Sequence, residues 1–301
     1  MRTLDVLPPF DLARTVAPAW WARGRWPNVD YADGCFLWVG WEGGVVVWRS
    51  VRQLDRQTLV ISGSARAALD RSWAARVLGS EALMPGFDDP ALVTLASTHS
   101  GMKPWANGSL FEGVVSSIVG QSISVAAAAT TERRLYALFN EAVELNDRQF
   151  WPPPKPPQLA AADPALVRSS GVTTTRANAL VEVGAGFVSG RLLDVDDNLF
   201  DPVREGRNLL AITGVGPWTA RSAFLWGIGD ADAHPTGDVA LLRAARRHHP
   251  HVSTLKDLDL CAERWKPNRA WAARLLWLDM LGFAGSDSVH EPVADPHTTY
   301  P

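Results

Sequence analysis

The segment from Gly214 to Arg247, GVGPWTARSAFLWGIGDADAHPTGDVALLRAARR, decides the fold that this sequence predicts. Two glycines flank one valine at its start, and the apolar residues on either side have the spacing of two short helices. Pro217 suits the first turn of the second helix, where its missing N–H leaves no hydrogen bond unmade. We therefore predict two helices joined by a tight Gly214-Val215-Gly216 turn.

The same turn is suited to bind a phosphate. Glycine lets the backbone approach another surface closely, and the free N–H groups that begin the second helix lie at the positive end of its dipole. A phosphate can bind there without any lysine. The spacing alone leaves two alternatives open, a phosphate site and a plain turn between core helices.

A lone aspartate, Asp238, follows 22 residues after Gly216. An aspartate directly before the helical pattern of residues 239–247 is a good helix N-cap. A carboxylate at that position is also suited to stabilise a developing positive charge or to activate a water. The two roles are compatible, because the capping N–H groups would keep the carboxylate ionised and fixed.

Composition limits the class of protein. A chain of 301 residues with 47% apolar and 20% charged residues predicts a globular protein of two domains, or three small ones. It has no apolar run long enough to span a membrane and no signal peptide at its start, so we expect no membrane partner and a cytoplasmic location. Two cysteines, Cys35 and Cys261, fit a reducing compartment and are too few for a four-cysteine zinc site or iron–sulfur cluster.

The charge distribution is uneven. The net charge is −3, but residues 203–274 hold 11 basic and 7 acidic side chains, together with four of the seven histidines. A basic C-terminal third is suited to meet phosphates, and a solvated charged face explains the charge equally well.

The N-terminal part predicts a small antiparallel sheet with some helix. Residues 35–50 contain two β-rich runs separated by Glu42-Gly43-Gly44, which is typical of a hairpin, and residues 57–62 predict a further strand. Residues 65–79 predict a helix that ends at Gly79.

From residue 89 onward the pattern is helical. Gly120-Gln121-Ser122 interrupts one predicted helix, and Ser124 is suited to cap the next. Asp163 with Pro164 predicts a further helix start. Residues 151–158, WPPPKPPQ, predict an exposed connection that is neither helix nor central strand. Further helices are expected near 203–212, 217–227, 239–247, 255–263 and 268–282, with a loose polar tail from Gly285.

The hairpin and the downstream segment HPTGDVALLRA resemble the helix-hairpin-helix signature of base-excision DNA glycosylases. The resemblance extends to FEGVVSSIVGQSISVAAAA, ERWKPNRAWAARLLW and the N-terminal LPPFDL, over about 280 residues in order. These segments are similar to those of the DNA-3-methyladenine glycosylase II family. The resemblance implies an α+β, TATA-binding-protein-like domain over 1–88 with an antiparallel sheet. It also implies mostly α-helical domains, one over 111–227 with the hairpin and one over 89–110 and 228–301 with the aspartate.

The resemblance also assigns roles to residues. Asp238 would be the catalytic aspartate that supports positive charge on the sugar. Trp218 and Trp277 match aromatic positions of the family's base pocket, although both also fit core positions of amphipathic helices. The remaining pocket positions, where relatives often carry tyrosines, are Ser222 and Val239, which predicts a roomier and less aromatic site.

Contacts to double-stranded DNA with damaged bases follow from the same resemblance. The hairpin would bind DNA through Gly214, Val215, Gly216 and Thr219. The family inserts a wedge into the gap left by the flipped base from a turn that here contains Gln121, Ser122 and Ile123. Close relatives have an apolar wedge, so Ser122 departs from the pattern and Ile123 is the candidate replacement.

Position 218 also bears on the reaction class. Bifunctional members of the superfamily have a lysine two residues after the second hairpin glycine, and this chain has Trp218, so no Schiff base and no lyase activity are expected. No cofactor is expected to be required, and an iron–sulfur cluster is excluded by the cysteine count. The resemblance does imply a structural monovalent cation, held by the backbone carbonyls of Leu210, Ile212 and Val215.

The sequence therefore predicts a monomeric, monofunctional glycosylase that removes alkylated purines by base flipping, located in the cytoplasm and, if the source is a bacterium, associated with the nucleoid. Two alternatives stay open. One is a non-catalytic protein that binds damaged DNA, and the other is a glycosylase for deaminated or oxidised bases. A small-molecule enzyme has no support, since the sequence shows no P-loop, dinucleotide motif, metal-ligand cluster or serine elbow.

Overall fold

The computed structural model describes residues 1–20 and 26–282. Its first part contains a five-stranded sheet in the order β1-β5-β4-β3-β2, and all neighbouring strands are antiparallel. The strands are β1 Arg2–Asp5, β2 Val29–Ala32, β3 Cys35–Glu42, β4 Val45–Asp55 and β5 Thr58–Gly63. The predicted small antiparallel sheet is therefore confirmed.

The predicted hairpin forms between β3 and β4, where Glu42 pairs with Val45. Its two turn residues, Gly43 and Gly44, have φ values of +57° and +84°. Such left-handed conformations at both central positions are typical of tight hairpin turns, and glycine adopts them without steric cost.

Helices make up most of the remaining described chain. They are α1 Leu12–Thr15, α2 Ala17–Trp20, α3 Asp70–Val77, α4 Pro90–Thr98, α5 Leu110–Gly120, α6 Val125–Ala137, α7 Pro156–Ala160, α8 Pro164–Arg168, α9 Thr174–Val188, α10 Pro202–Leu210, α11 Pro217–Ile228, α12 Val239–Arg246, α13 Leu255–Ala262 and α14 Arg269–Met280. A short antiparallel pair, β6 Val143–Leu145 and β7 Arg148–Phe150, lies between α6 and α7.

Several predicted helix ends are confirmed by their capping bonds. The Ser124 hydroxyl accepts from the Ala127 N–H at 3.2 Å and caps α6. The Asp163 carboxylate accepts from the Ala165 N–H at 2.8 Å and caps α8, with Pro164 as its first residue. The predicted interruption also forms, because α5 ends at Gly120.

The prediction of an exposed connection over residues 151–158 is wrong. Pro152, Pro153 and Pro154 are buried, and α7 begins at Pro156. The Pro153 carbonyl accepts from Trp41 Nε1 at 2.8 Å, and Lys155 Nζ lies 3.7 Å from the centroid of the Trp41 ring. Prolines are tolerated in the first turn of a helix, and the rest of the run is covered because it packs against β3.

The largest buried cluster joins α5, α9 and α11 to α12 and α14. The closest approach is between α5 and α11, where a Cβ on Gly113 would lie 2.4 Å from the Cα of Gly227. Both glycines are therefore needed for the two helices to pack at this distance. Since α11 is the second helix of the hairpin, this contact fixes the hairpin against the core.

The division of the chain into domains at residues 88, 110 and 227 stays a prediction, because the buried residues of both helical parts belong to one cluster. The tail from Gly285 lies outside the described residues. Within the described ranges, no helix is long and apolar enough to cross a membrane.

Candidate active site

The hairpin consists of α10, α11 and the turn between them. Gly214 has a φ of +93°, and a Cβ there would lie 3.0 Å from Thr175 Cγ2 on α9. Because the conformation is left-handed and the space is limited, Gly214 is required by the turn itself.

At Gly216, neither the backbone conformation nor the available space requires a glycine. It is the N-cap of α11 with a φ of −96°, which any residue adopts, and a Cβ there would meet no atom within 4 Å. Ala220 makes the first helical bond, from its N–H to the Gly216 carbonyl at 3.0 Å. The N–H groups of Trp218 and Thr219 precede that bond and have no helical partner. The start of α11 therefore offers unpaired N–H groups beside an open space.

Gln121, in the turn after α5, holds the hairpin in place. Its Nε2 donates to the Gly214 carbonyl at 2.9 Å and to Thr219 Oγ1 at 2.8 Å. Thr219 is only 3% exposed. Both side chains are thus engaged inside the protein, and Thr219 keeps its main-chain N–H for a ligand; the DNA-binding roles of Gln121 and Thr219 stay predictions.

Sequence reasoning missed Arg176, which orients Gln121. On α9, its Nε donates to Gln121 Oε1 at 3.1 Å and its Nη2 donates to the Gln121 carbonyl at 2.6 Å. The guanidinium thereby fixes which end of the amide is the donor toward the hairpin. No local sequence pattern indicates this contact, because Arg176 lies 55 positions from Gln121 along the chain.

Ser122 and Ile123 follow Gln121 in the same turn. Ser122 is exposed and has a φ of +55°, a left-handed conformation that costs a non-glycine residue about 1 kcal/mol. Ile123 is half-buried. The turn therefore places a small polar side chain, and not an apolar one, at its most exposed position.

Asp238 is the N-cap of α12, and both of its carboxylate oxygens are held. Oδ1 accepts from the Leu241 N–H at 2.7 Å, and Oδ2 accepts from Trp218 Nε1 at 2.9 Å. The second bond joins the hairpin helix to the aspartate over 20 positions of sequence. The structure thus brings together two of the predicted site residues, one from each side of the loop 229–237.

The Asp238 carboxylate is half-buried. Burial raises the pKa of its carboxyl above the usual value, and the hydrogen bonds from Trp218 and from the Leu241 N–H oppose this without cancelling it. The capping bonds thus fix the carboxylate, as expected, but they do not outweigh the cost of burying its charge. A fixed carboxylate with a raised pKa is suited to act on a cation or a proton beside it.

The other predicted pocket residues lie on α11, α12 and α14. Trp277, on α14, is 6% exposed and stacks on Trp226 with ring centroids 5.5 Å apart. Ser222, on α11, is 2% exposed, and its Oγ has no hydrogen-bond partner among the described residues. Val239, directly after Asp238, is 44% exposed. Of the predicted pocket residues, Trp218 thus contacts Asp238, whereas Trp277 and Ser222 are buried.

The carbonyls at the end of α10 fit the cation that the resemblance implies. The Ile212 carbonyl accepts from the Val215 N–H at 3.0 Å, and the Leu210 carbonyl has no main-chain partner in the described chain. Carbonyls of a last helical turn retain lone pairs that can bind a cation. The carbonyls of Leu210, Ile212 and Val215 would hold such an ion, which would supply positive charge beside the free N–H groups of α11.

Comparison with known proteins gave several relatives, although no protein-family model matches the chain. The chain is 28% identical over 297 residues to DNA-3-methyladenine glycosylase 2 of Escherichia coli K12, which covers 92% of this chain and 96% of the relative. It is 24% identical over 191 residues to DNA-3-methyladenine glycosylase of Bacillus subtilis, covering 63% of each chain.

Solved structures share the fold. The 3-methyladenine DNA glycosylase of Archaeoglobus fulgidus superimposes with a TM-score of 0.77 at 18% identity, over 95% of this chain and 100% of that one. The 8-oxoguanine glycosylase/lyase of Clostridium acetobutylicum, solved with double-stranded DNA, gives 0.66 at 17% identity, over 89% of this chain and 91% of that one.

Proposed function

Because the chain belongs to the DNA-3-methyladenine glycosylase II family, we propose that it is a monofunctional DNA glycosylase that excises alkylated purines of the 3-methyladenine and 7-methylguanine type. Such an enzyme hydrolyses the N-glycosidic bond between base and sugar and leaves an abasic site for base excision repair. The observation that supports it best is the Asp238 carboxylate, which is fixed through both oxygens beside the hairpin.

Asp238 supplies the charge that this reaction needs. As the glycosidic bond breaks, the sugar becomes an oxocarbenium-like cation, and a fixed carboxylate stabilises it without having to reorganise. At about 4 Å and an effective dielectric constant near 20, the attraction is roughly 4 kcal/mol, or about a thousandfold in rate. The carboxylate is also suited to orient or deprotonate the attacking water.

Trp218 has two roles in this proposal. Its indole N–H (Nε1) donates to Asp238 Oδ2 and fixes the carboxylate, and its ring forms a wall of the base pocket. 3-Methyladenine and 7-methylguanine are cationic while they are still bound to the sugar, so the face of an aromatic ring attracts them more than neutral bases. Val239 is exposed directly after Asp238 and extends this pocket, and we assign the buried Trp277 and Ser222 to the layer beneath its lining. The accessible lining then has few aromatic groups.

The hairpin binds the phosphates of one DNA strand. The open space at Gly216 and the free N–H groups of Trp218 and Thr219 are suited to a phosphate at the start of α11. The cation held by Leu210, Ile212 and Val215 would add to this attraction. Ser122 and Ile123 face the gap left by the flipped base, and Gln121 positions the hairpin.

The product is an abasic site and not a cleaved strand. A lyase reaction needs an amine that forms a Schiff base with the sugar. The hairpin has Trp218 at the position of the lysine in bifunctional relatives, and segment 209–219 contains no lysine. The proposed hydrolysis consumes only water, so no cofactor is expected to take part.

Three finer features belong to the same proposal. The five-stranded sheet with its helices corresponds to the TATA-binding-protein-like domain that the resemblance implies. The protein acts as a monomer on double-stranded DNA that contains damaged bases. It works where the chromosome is, which is the cytoplasm in a bacterium.

The direct test is base release from duplex DNA with single lesions. We expect release of 3-methyladenine and 7-methylguanine, with strands that break only after treatment with alkali. Binding of these duplexes without release of any base would instead identify a damage-binding protein. Release of only oxidised or deaminated bases would assign another substrate class.

A second test addresses the hairpin. Gly216→Ala fills the open space and should weaken binding of undamaged duplex DNA about tenfold while changing stability by less than about 1 kcal/mol. Gly86→Ala is the matched control, because a Cβ at Gly86 also meets no atom within 4 Å. Equal DNA affinity of the two variants would contradict the proposed phosphate contact.

A further inference from the structure

Three side chains that can bind metals come together from three different helical segments of the fold. Asp89 is the N-cap of α4, His249 follows the end of α12, and Cys261 lies in α13. One ligand atom from each, a carboxylate oxygen, a ring nitrogen and a thiol sulfur, lies within 4.8 Å of the other two. The proposed glycosylase chemistry uses none of them.

Two of the three side chains are buried, and Asp89 is half-buried. His249 is 5% exposed and Cys261 is 3% exposed. His249 Nε2 lies 2.8 Å from Asp89 Oδ2, and His249 Nδ1 is buried without a hydrogen-bond partner among the described residues. The contact with Asp89 is thus the only hydrogen bond of this ring among the described residues, so a metal ion at Nε2 would take its place without breaking another.

The surrounding groups suit a metal site. Trp265 Nε1 donates to Asp89 Oδ2 at 3.2 Å, and Arg264 Nη2 donates to Cys261 Sγ at 3.3 Å. Such outer hydrogen bonds hold ligating side chains in place and support their charged forms. The remaining carboxylate oxygen, Oδ1, accepts from the Ala91 N–H at 3.0 Å, so the carboxylate cannot turn freely.

The geometry points to a new metal site: we propose that Asp89, His249 and Cys261 bind one divalent transition-metal ion of the Zn²⁺ class. Ligands of tetrahedral zinc lie about 3.3 to 3.8 Å apart, so the three atoms need to move by about 1 Å or less. Water takes the fourth position.

The donor set decides the class of metal. A thiolate and an imidazole select Zn²⁺ and similar ions and disfavour Mg²⁺ and Ca²⁺, which take oxygen ligands. Binding releases the thiol proton of Cys261, and the two negative ligands then neutralise the ion, so that the buried site has no net charge.

The site would fix the helix that carries the catalytic candidate. Asp238 begins α12, and His249 lies three residues past its last residue, Arg246. A metal ion that joins His249 to α4 and α13 ties the far end of α12 to two neighbouring helices. We therefore expect a structural role, with a gain in stability and little direct effect on base excision.

The test uses tag-free, fully reduced protein and Zn²⁺ alone. After loading and desalting, the wild-type protein should retain one equivalent of zinc with a micromolar or tighter Kd. At a hundredfold excess over that Kd, Tm should rise by about 5 °C. Loading with Co²⁺ should give a sulfur-to-cobalt charge-transfer band, which reports directly on Cys261. Retention of less than a tenth of an equivalent, or a cobalt spectrum without that band, overturns the proposal.

Matched variants separate this site from surface binding. Cys261→Ser and His249→Ala should weaken zinc binding about 100-fold, and Asp89→Asn should weaken it while it keeps the cap of α4. His248→Ala is the control for the histidine, because His248 forms the same 2.8 Å contact with Asp279 but is not part of the cluster. Cys35→Ser is the control for the cysteine. Equal zinc affinity of Cys261→Ser and Cys35→Ser would refute the site, and this result is independent of glycosylase activity.

Discussion

Asp238 and Asp89 occupy equivalent positions in two different helices. Each is an N-cap, each accepts a main-chain N–H through Oδ1, and each accepts an indole N–H through Oδ2, from Trp218 and Trp265 respectively. The pKa of their carboxyl groups nevertheless shifts in opposite directions. Burial raises the pKa of Asp238. Burial acts in the same direction on Asp89, but hydrogen bonds with His249 and Trp265 outweigh it and lower the pKa.

Two things separate the carboxyl groups: Asp238 is the more deeply buried, and Asp89 has an additional partner. Asp89 Oδ2 has a second contact, with His249 at 2.8 Å, and Asp238 has no corresponding histidine contact in the described chain. The capping bond therefore fixes a carboxylate but does not decide what it can do. The environment of the second oxygen decides whether the charge is satisfied within the protein or is left to act on a ligand.

The largest expected effect separates the two aspartates by activity. Asp238→Asn keeps an N-cap and removes the charge, so the rate of base excision should fall about a thousandfold while DNA affinity stays within a few-fold. Asp89→Asn makes the same change at the other cap and should keep the wild-type rate. Single-turnover release of 7-methylguanine from duplex DNA checks both, and an equal loss in the two variants would contradict the assignment.

The indole N–H groups allow a second comparison, through pH. Because the Trp218 bond lowers the pKa of Asp238, Trp218→Phe should raise that pKa further. The carboxylate is then protonated at a higher pH, so the acid limb of the excision rate should move to higher pH. Trp265→Phe removes the equivalent bond from Asp89 and should leave this limb in place. Profiles of kcat against pH measure the two shifts, and a limb that stays unmoved in Trp218→Phe would show that another group titrates.

The smallest expected effect concerns stability at neutral pH. A carboxyl with a raised folded pKa stabilises the fold at low pH, and this contribution is lost as the pH rises through that pKa, so Asp238→Asn should stabilise the protein. A carboxyl with a lowered pKa stabilises the fold above its unfolded pKa, so Asp89→Asn should destabilise it. Changes of about 1 kcal/mol in opposite directions are expected in urea unfolding at pH 7. Changes of the same sign would mean that the two caps are energetically alike.

Local features of the fold and site could be predicted from the sequence. Asp238, Ser124 and Asp163 were identified as caps because a cap and the N–H groups it accepts lie within a few residues of each other. The Glu42-Gly43-Gly44 turn was found for the same reason, since its conformation depends on the glycines themselves.

Contacts between distant segments could not be predicted in this way. Asp89 and His249 are 160 positions apart, and Gln121 lies 93 positions from the Gly214 carbonyl that it holds. The proline run fails for a related reason. Proline is disfavoured in helix interiors and central strands, but no local sequence pattern shows that Pro152–Pro154 become buried against β3.

The central claim is that Asp238 meets a positive charge on the sugar, and affinity for abasic-site analogues tests it most directly. Duplex DNA is prepared with a protonated nitrogen ring or a neutral oxygen ring in place of the sugar at one site. The wild-type protein should bind the cationic analogue about a hundredfold more tightly, and Asp238→Asn should bind both about equally. The same hundredfold preference in Asp238→Asn would contradict the claim, because the charge would then be recognised by another group.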